Sequence, residues 1–109
     1  MRLTVQEQQA LWQFKESLQA RFGDEIVEVR VFGSKARGDA GPESDLDVLV
    51  VTKRDDWKLK EQIGQVATTI LLEEGIYLSV KVFGGHVYRR LVELKTPFIK
   101  NVLEDGVLV

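Results

Sequence analysis

The sequence contains no cysteine, one histidine and two prolines among its 109 residues. The absence of cysteine excludes disulfides, zinc–thiolate sites and thiol catalysis. The longest apolar run, residues 48–51, is far shorter than the about 20 residues that a membrane-spanning helix needs. Fifteen basic and seventeen acidic residues give a net charge of -2, which argues against a nucleic-acid partner. No apolar signal-peptide block follows the N-terminal residues, so we expect a cytoplasmic protein without membrane association.

The chain is long enough for one hydrophobic core and too short for two. Its composition, 44% hydrophobic and 29% charged, is close to the globular average. We therefore expect a single domain over residues 1–109. Any active site must then be assembled from one small sheet and a few helices.

Hydrophobic periodicity predicts helices that alternate with strands. Thr4 and Glu7 form a capping-box pattern at the start of the first helix. An α/β (α+β) domain is predicted, with helices packed on a small mixed β-sheet. The predicted C-terminal edge strand is also compatible with a homo-oligomer, because a free strand edge can pair with a second copy of the chain. The predicted strands cover residues 26–32, 45–52, 76–83 and 107–109, and the later helices lie near residues 56–74, 87–94 and 97–105.

A glycine-rich segment follows the first predicted strand, and residues 33–38 read Gly-Ser-Lys-Ala-Arg-Gly. A strand that runs into a helix start offers free backbone N–H groups, which suit a phosphate. Gly33 allows close approach of a ligand and the Ser34 hydroxyl can donate to a phosphate oxygen. Arg37 lies three residues after Ser34 and shares its helix face. We predict that these three residues bind the phosphates of a nucleotide.

Two charged neighbours in this segment have other interpretations. Arg37 can instead form an ion pair with Asp39, Glu43 or a carboxylate of the site. Lys35 is expected to be a solvated surface charge.

Two carboxylates stand at the start of the second predicted strand. Asp45 and Asp47 are separated by one residue, and the two-residue period of a strand places both on one face. Adjacent carboxylates repel each other unless a cation lies between them, and oxygen ligands suit Mg²⁺ or Mn²⁺. We predict that Asp45 and Asp47 are catalytic metal ligands in a phosphoryl-transfer site.

The pattern Gly33-Ser34, ten residues, Asp45-x-Asp47 resembles the signature of the DNA polymerase β-like nucleotidyltransferases. The fuller form of this pattern also includes Ala36, Arg37, Gly38, Ser44 and Leu46. This form resembles the minimal nucleotidyltransferase (MNT) branch, small prokaryotic proteins often paired with a helical HEPN-domain toxin. The resemblance implies the polymerase-β-like fold. It also implies that the protein uses Mg²⁺ or Mn²⁺ to transfer AMP from ATP to a hydroxyl group. The expected acceptor is a HEPN-type partner protein, with which this chain would form a toxin–antitoxin pair. It further implies that the glycine–serine turn holds the phosphates.

The family pattern includes a third carboxylate on the next strand, and here that strand contains no acid. Alternation predicts that Leu78, Val80 and Val82 face the core. Ser79 and Lys81 would then face the aspartates, and we expect Ser79 or Lys81 to take the place of the missing acid. The alternative function is therefore a catalytically degraded pseudoenzyme that binds nucleotide or occludes a partner.

Overall fold

The computed structural model describes residues 1–39, 41 and 45–109. The described residues form five α-helices, a 3-10 turn over Gly23–Glu25 and four strands, which confirms the predicted α+β class. In chain order the elements are α1 (Val5–Phe22), β1 (Ile26–Phe32), α2 (Gly33–Arg37), β2 (Leu46–Thr52), α3 (Trp57–Glu74), β3 (Leu78–Gly84), α4 (Gly85–Glu93), α5 (Pro97–Asp105) and β4 (Val107–Leu108).

The four strands form one mixed sheet in the order β3-β2-β1-β4. β1 runs antiparallel to β2 and β4, whereas β2 and β3 are parallel. Asp47 of β2 lies opposite Phe32 of β1 and Ser79 of β3. The end of β1 and the starts of β2 and β3 therefore meet at one end of the sheet, and α2 begins there.

Strand β2 is buried on both faces, as its apolar sequence predicts for a central strand. Its residues Val48 and Val50 belong to the main core, which is formed with α1 and α3. Leu49 and Val51 belong to a smaller cluster on the opposite face, against α4 and α5. The sheet is thus covered by two helices on one side and by two shorter helices on the other.

The ends of the strands differ by one or two residues from the prediction. β3 begins at Leu78 rather than at residue 76, and β2 begins at Leu46 rather than at residue 45. The reason is the pairing between them, because the parallel ladder starts where Leu46 meets Leu78. Asp45 consequently precedes the strand instead of opening it.

The predicted capping box at the start of α1 is present. The Thr4 hydroxyl accepts from the Glu7 amide at 3.0 Å, and the Glu7 carboxylate accepts from the Thr4 amide at 2.9 Å. The expectation that Lys35 is a solvated charge is wrong. Its side chain is buried and its Nζ lies 3.0 Å from Glu7 Oε2, because α2 turns Lys35 toward the first turn of α1.

The predicted ion pair of Arg37 with Glu43 lies outside the described residues. So do Pro42, which follows the glycine-rich stretch, and Ser44, which precedes Asp45. Among the helices that the structure describes, none has the length and apolarity needed to cross a membrane.

Phe14 and Trp12 lie on the same helix in opposite environments, because Phe14 is fully buried and Trp12 is 62% exposed. We expect Phe14→Ala to lower the free energy of unfolding by about 3–5 kcal/mol, since it leaves a cavity in the main core. Trp12→Ala should change it by about 0.5 kcal/mol or less. Urea denaturation measures both, and equal losses would contradict the packing described.

Candidate functional site

The turn from β1 into α2 brings the glycine-rich segment against Asp47. Gly33 has φ +76°, a conformation that side chains with a Cβ rarely adopt. A Cβ on Gly33 would also overlap the Asp47 carboxylate, whose Cγ would be only 3.3 Å away. Glycine is therefore required at this position on two independent grounds. The predicted phosphate turn and the predicted metal ligand form one site.

Helix α2 is a single short turn between two positive-φ glycines. The Ser34 carbonyl accepts from the amides of Gly38 at 3.0 Å and Asp39 at 3.2 Å, which closes the helix. Phe32 is its N-cap residue, and no side chain within the described ranges caps its first amides. Those amides lie at the site, where a phosphate can accept from them.

Asp47 is half-buried and lies among charged and polar groups. Burial raises the pKa of its carboxyl above the ordinary value of 3.8, and repulsion from Asp45 raises the pKa further. The Lys81 ammonium, a hydrogen bond from Ser79 and the Arg37 guanidinium oppose this rise in pKa. The structure thus brings Asp47 close to Asp45, just before β2, and to residues of β3 and α2.

Arg37 is shared between two acidic neighbours. Its Nε lies 3.2 Å from Asp39 Oδ2, and 43% of the Arg37 side chain is exposed. An ion pair so exposed contributes little to stability. Arg37 also lowers the pKa of Asp47 through its charge. The guanidinium can therefore turn from Asp39 toward an anion bound at the site with little loss of stability.

The two aspartates suit a cation, although a third acid does not join them. Their mutual repulsion is what a divalent cation between them would relieve, and water and phosphate oxygens can complete its coordination. Residues 1–39, 41 and 45–109 contain no group of three or more histidine, aspartate or glutamate side chains placed to hold a metal. Asp45 and Asp47 would therefore supply a site with two protein carboxylates.

As predicted, β3 presents Ser79 and Lys81 on the side of the aspartates. Ser79 lies opposite Asp47 in the parallel ladder, and Lys81 lies opposite Leu49 on the same face. Leu78 on the other face is buried, and Val80 and Val82 pack against the main core. The two β3 side chains on the face of Asp47 are therefore a hydroxyl and an ammonium group, whereas the resemblance led us to expect a carboxylate on this strand.

Similarity to known proteins indicates the family of this chain. The family model described as "Nucleotidyltransferase domain" matches residues 11–109. The chain belongs to this nucleotidyltransferase family. Two relatives in Methanocaldococcus jannaschii are proposed protein adenylyltransferases. MJ0604 is 29% identical over 102 residues, which cover 94% of this chain and 96% of the relative. MJ0141 is 35% identical over 98 residues, which cover 89% and 92% respectively.

Solved structures agree with this assignment. The structure of a proposed minimal nucleotidyltransferase matches this nucleotidyltransferase over the whole of both chains, with 27% identity and a TM-score of 0.57. A Sulfolobus solfataricus protein that is 20% identical, with a TM-score of 0.52 over 98% of this chain and 87% of its own, shares the fold. The chain belongs to the minimal branch of the nucleotidyltransferase family.

Sequence reasoning missed the aromatic support behind the turn at Gly33. Phe32, the residue before Gly33, is buried and meets the ring of Phe98 edge-on, with centroids 5.5 Å apart and planes at 89°. Phe83 also contacts Phe98, with ring centroids 6.2 Å apart. The apolar face of α5 was predictable from its helical spacing, but its partner on β1 was not.

Gly33→Ala and Gly75→Ala form a matched pair, because both glycines have similar positive φ, +76° and +70°. A Cβ on Gly75 meets open space, whereas one on Gly33 meets the Asp47 carboxylate. We expect Gly75→Ala to cost about 1–2 kcal/mol of stability through backbone strain alone. Gly33→Ala should cost more and also weaken ATP binding at least about tenfold. Calorimetric titration with ATP and Mg²⁺ measures the affinity of each variant. Equal affinities would contradict the contact between Gly33 and the Asp47 carboxylate.

Asp47→Asn is expected to stabilise the protein at neutral pH. A raised pKa means that the folded state binds the Asp47 proton more tightly than the unfolded state does. Stability from this group is therefore present at low pH and is lost as the pH rises through the folded-state pKa. Asp47→Asn removes that loss. Its gain in stability over the wild type should therefore shrink as the pH falls from 7 toward 3.8, the ordinary pKa of an aspartate.

Chemical denaturation at several pH values measures this advantage. Asp24→Asn, which neutralises an exposed carboxylate far from the site, is the control. It should change stability by about 0.5 kcal/mol or less throughout. Two outcomes would show that the Asp47 charge is not disfavoured in the folded state. Asp47→Asn could be less stable than the wild type, or the difference in stability between the two proteins could be independent of pH.

Proposed function

We propose that this chain is a cytoplasmic nucleotidyltransferase that uses Mg²⁺ or Mn²⁺ and transfers AMP from ATP to a hydroxyl group of a partner protein. The observation that carries the proposal is the close approach of Gly33 to the Asp47 carboxylate. A phosphate bound at the turn would lie next to the carboxylates, so one nucleotide would engage both. Membership of the nucleotidyltransferase family supports the same chemistry.

Each predicted residue has a role in this proposal. The backbone at Gly33 and the hydroxyl of Ser34 bind the β- and γ-phosphates, with Arg37 adjacent to them. Asp45 and Asp47 hold the cation, which would supply charge neutralisation on the phosphates. In the transfer, the acceptor oxygen forms a bond to the α-phosphorus and the bond from that phosphorus to the bridging oxygen of pyrophosphate breaks. Pyrophosphate leaves, and the hydroxyl proton passes to solvent.

A protein hydroxyl is the acceptor that the comparisons favour. The relatives MJ0604 and MJ0141 are both named as proposed protein adenylyltransferases. The net charge of -2 does not favour nucleic acid as the acceptor. Together with the resemblance to the MNT branch, this supports a small helical HEPN-type toxin as the partner, with this chain as its antitoxin.

A second function is favoured by the side chains of β3. Ser79 lies opposite Asp47, and Lys81 lies two residues farther along the same face of β3. The resemblance implies a third carboxylate on this strand, and a protonated lysine cannot accept the acceptor's proton. The loss of a positioned general base costs about 10²–10⁴-fold in rate. The alternative is therefore a pseudoenzyme that binds nucleotide and neutralises its partner by occlusion.

The deciding experiment incubates the purified chain with ATP, Mg²⁺ and a folded HEPN-type partner, and follows the partner's intact mass. We expect the partner to gain the mass of AMP with the wild-type chain and with Asp24→Asn, but not with Asp45→Asn/Asp47→Asn. A complex that forms without any gain in mass, and that the double variant also forms, would favour occlusion.

Lys81→Asp tests whether the missing acid limits the rate. If the site lacks only this acid, the variant should transfer AMP faster than the wild type, by up to about 10²-fold. Glu61→Gln, on the exposed surface of α3, is the control and should leave the rate unchanged. An unchanged rate with Lys81→Asp would show that β3 does not place this side chain at the reacting groups.

A further inference from the structure

Helix α2 needs external support. It contains only five residues, Gly33–Arg37, and a single turn is not stable alone because helix nucleation is costly. Yet it carries Ser34 and Arg37, which a bound nucleotide would contact. Contacts from other parts of the fold must therefore set its position, and the firmest of these begin at Lys35.

Lys35 and Glu7 form a buried ion pair. Their Nζ and Oε2 atoms are 3.0 Å apart, and only 9% and 10% of the two side chains are exposed. Of the ion pairs between described residues, the other six have side chains that are more exposed. Burial raises the pKa of Glu7, but its hydrogen bonds with Thr4 and its interactions with Lys35 lower it by more. The carboxylate therefore stays charged at neutral pH.

The Glu7 carboxylate divides its two oxygens between α1 and α2. Oε1 accepts from the Thr4 amide at 2.9 Å, and Oε2 meets Lys35. The Lys35 backbone is held as well, because its carbonyl accepts from the Arg2 amide at 3.2 Å. The side chain of Lys35 is thus tied to Glu7 in the first turn of α1, where the capping box fixes the geometry. Its main chain is tied to Arg2, in the segment that leads into α1.

The pair lies beside the proposed active site. Glu7, Lys35 and Asp45 line the same cleft, together with Thr4 and Tyr77. On the opposite side of the turn, Phe98 supports Phe32. A shift of α2 away from α1 would move Ser34 and Arg37 relative to Asp47. Shifts of about 1 Å are enough to lower binding or rate strongly in a preorganised site.

We propose that Glu7 and Lys35 are positioning residues that hold α2 in register with Asp47 for nucleotide binding. A buried ion pair adds little net stability compared with apolar residues of similar size, so its consequence here is geometric. The fixed length and direction of the pair determine where α2 lies. This inference rests on the proposed function for its ligand, but the ordering of α2 can be measured without one.

Glu7→Gln and Lys35→Met test the pair. Glu7→Gln keeps an oxygen that can accept from the Thr4 amide, so it removes the ion pair while leaving the cap. Hydrogen exchange of the amides of residues 33–39, without ligand, measures the order of α2. Calorimetry with ATP and Mg²⁺, at a temperature where each variant is folded, measures affinity. In both variants we expect about tenfold faster exchange there and about tenfold weaker affinity.

Val66→Ala and the double variant Glu7→Gln/Lys35→Met separate positioning from stability. Val66 is a buried residue of α3, so its variant should lower the melting temperature but keep wild-type affinity and exchange at residues 33–39. The double variant leaves no unpaired buried charge, so its melting temperature should recover while its affinity remains low. If affinity recovers with the melting temperature, the role of the pair is only structural.

The remaining outcomes are also decisive. Folded single variants with wild-type exchange at residues 33–39 and wild-type affinity would overturn the positioning role. If the wild type itself binds no ATP with Mg²⁺, the proposed function fails. In that case the exchange measurement still decides whether the ion pair orders α2.

Discussion

The contact between the backbone of Gly33 and the carboxylate of Asp47 determines how the rest of this site can be built. It leaves no room for a Cβ and it requires a positive φ at the point where β1 turns into α2. Because Asp47 lies opposite Phe32 in the ladder, the contact also depends on the register of two central strands. A shift of one residue in that register would turn Asp47 to the other face and separate the turn from the carboxylate.

The surroundings of Asp47 explain why a charged group is tolerated at the edge of the core. Burial and the neighbouring Asp45 disfavour its ionised form, while Lys81, Ser79 and Arg37 favour that form. A divalent cation would shift this balance toward the charged form, as a metal site requires. Lys81 places positive charge beside Asp47, so it compensates the carboxylate electrostatically, but a protonated lysine is not a proton acceptor.

Two different kinds of contact, polar and aromatic, support the short helix α2 from two directions. On one side, the Glu7–Lys35 ion pair and the bond from the Arg2 amide connect it to the start of α1. On the other, the edge-to-face contact of Phe32 and Phe98 connects the preceding strand to α5. Directional polar contacts fix the orientation of the helix, whereas aromatic packing removes apolar surface from water. The position of this five-residue helix depends on both kinds of contact.

Local patterns in the sequence determined the elements, the buried central strand, the capping box at Thr4 and Glu7, and the glycine–serine and aspartate motif. These depend on residues that are close along the chain, so periodicity and spacing are sufficient to predict them. The face of β3 that carries Ser79 and Lys81 also followed from alternation. The burial of Lys35, its pairing with Glu7 and the support of Phe32 by Phe98 were decided only by the tertiary structure. Each joins segments far apart in sequence, and the packing of α1 and α5 around the sheet chooses the partner.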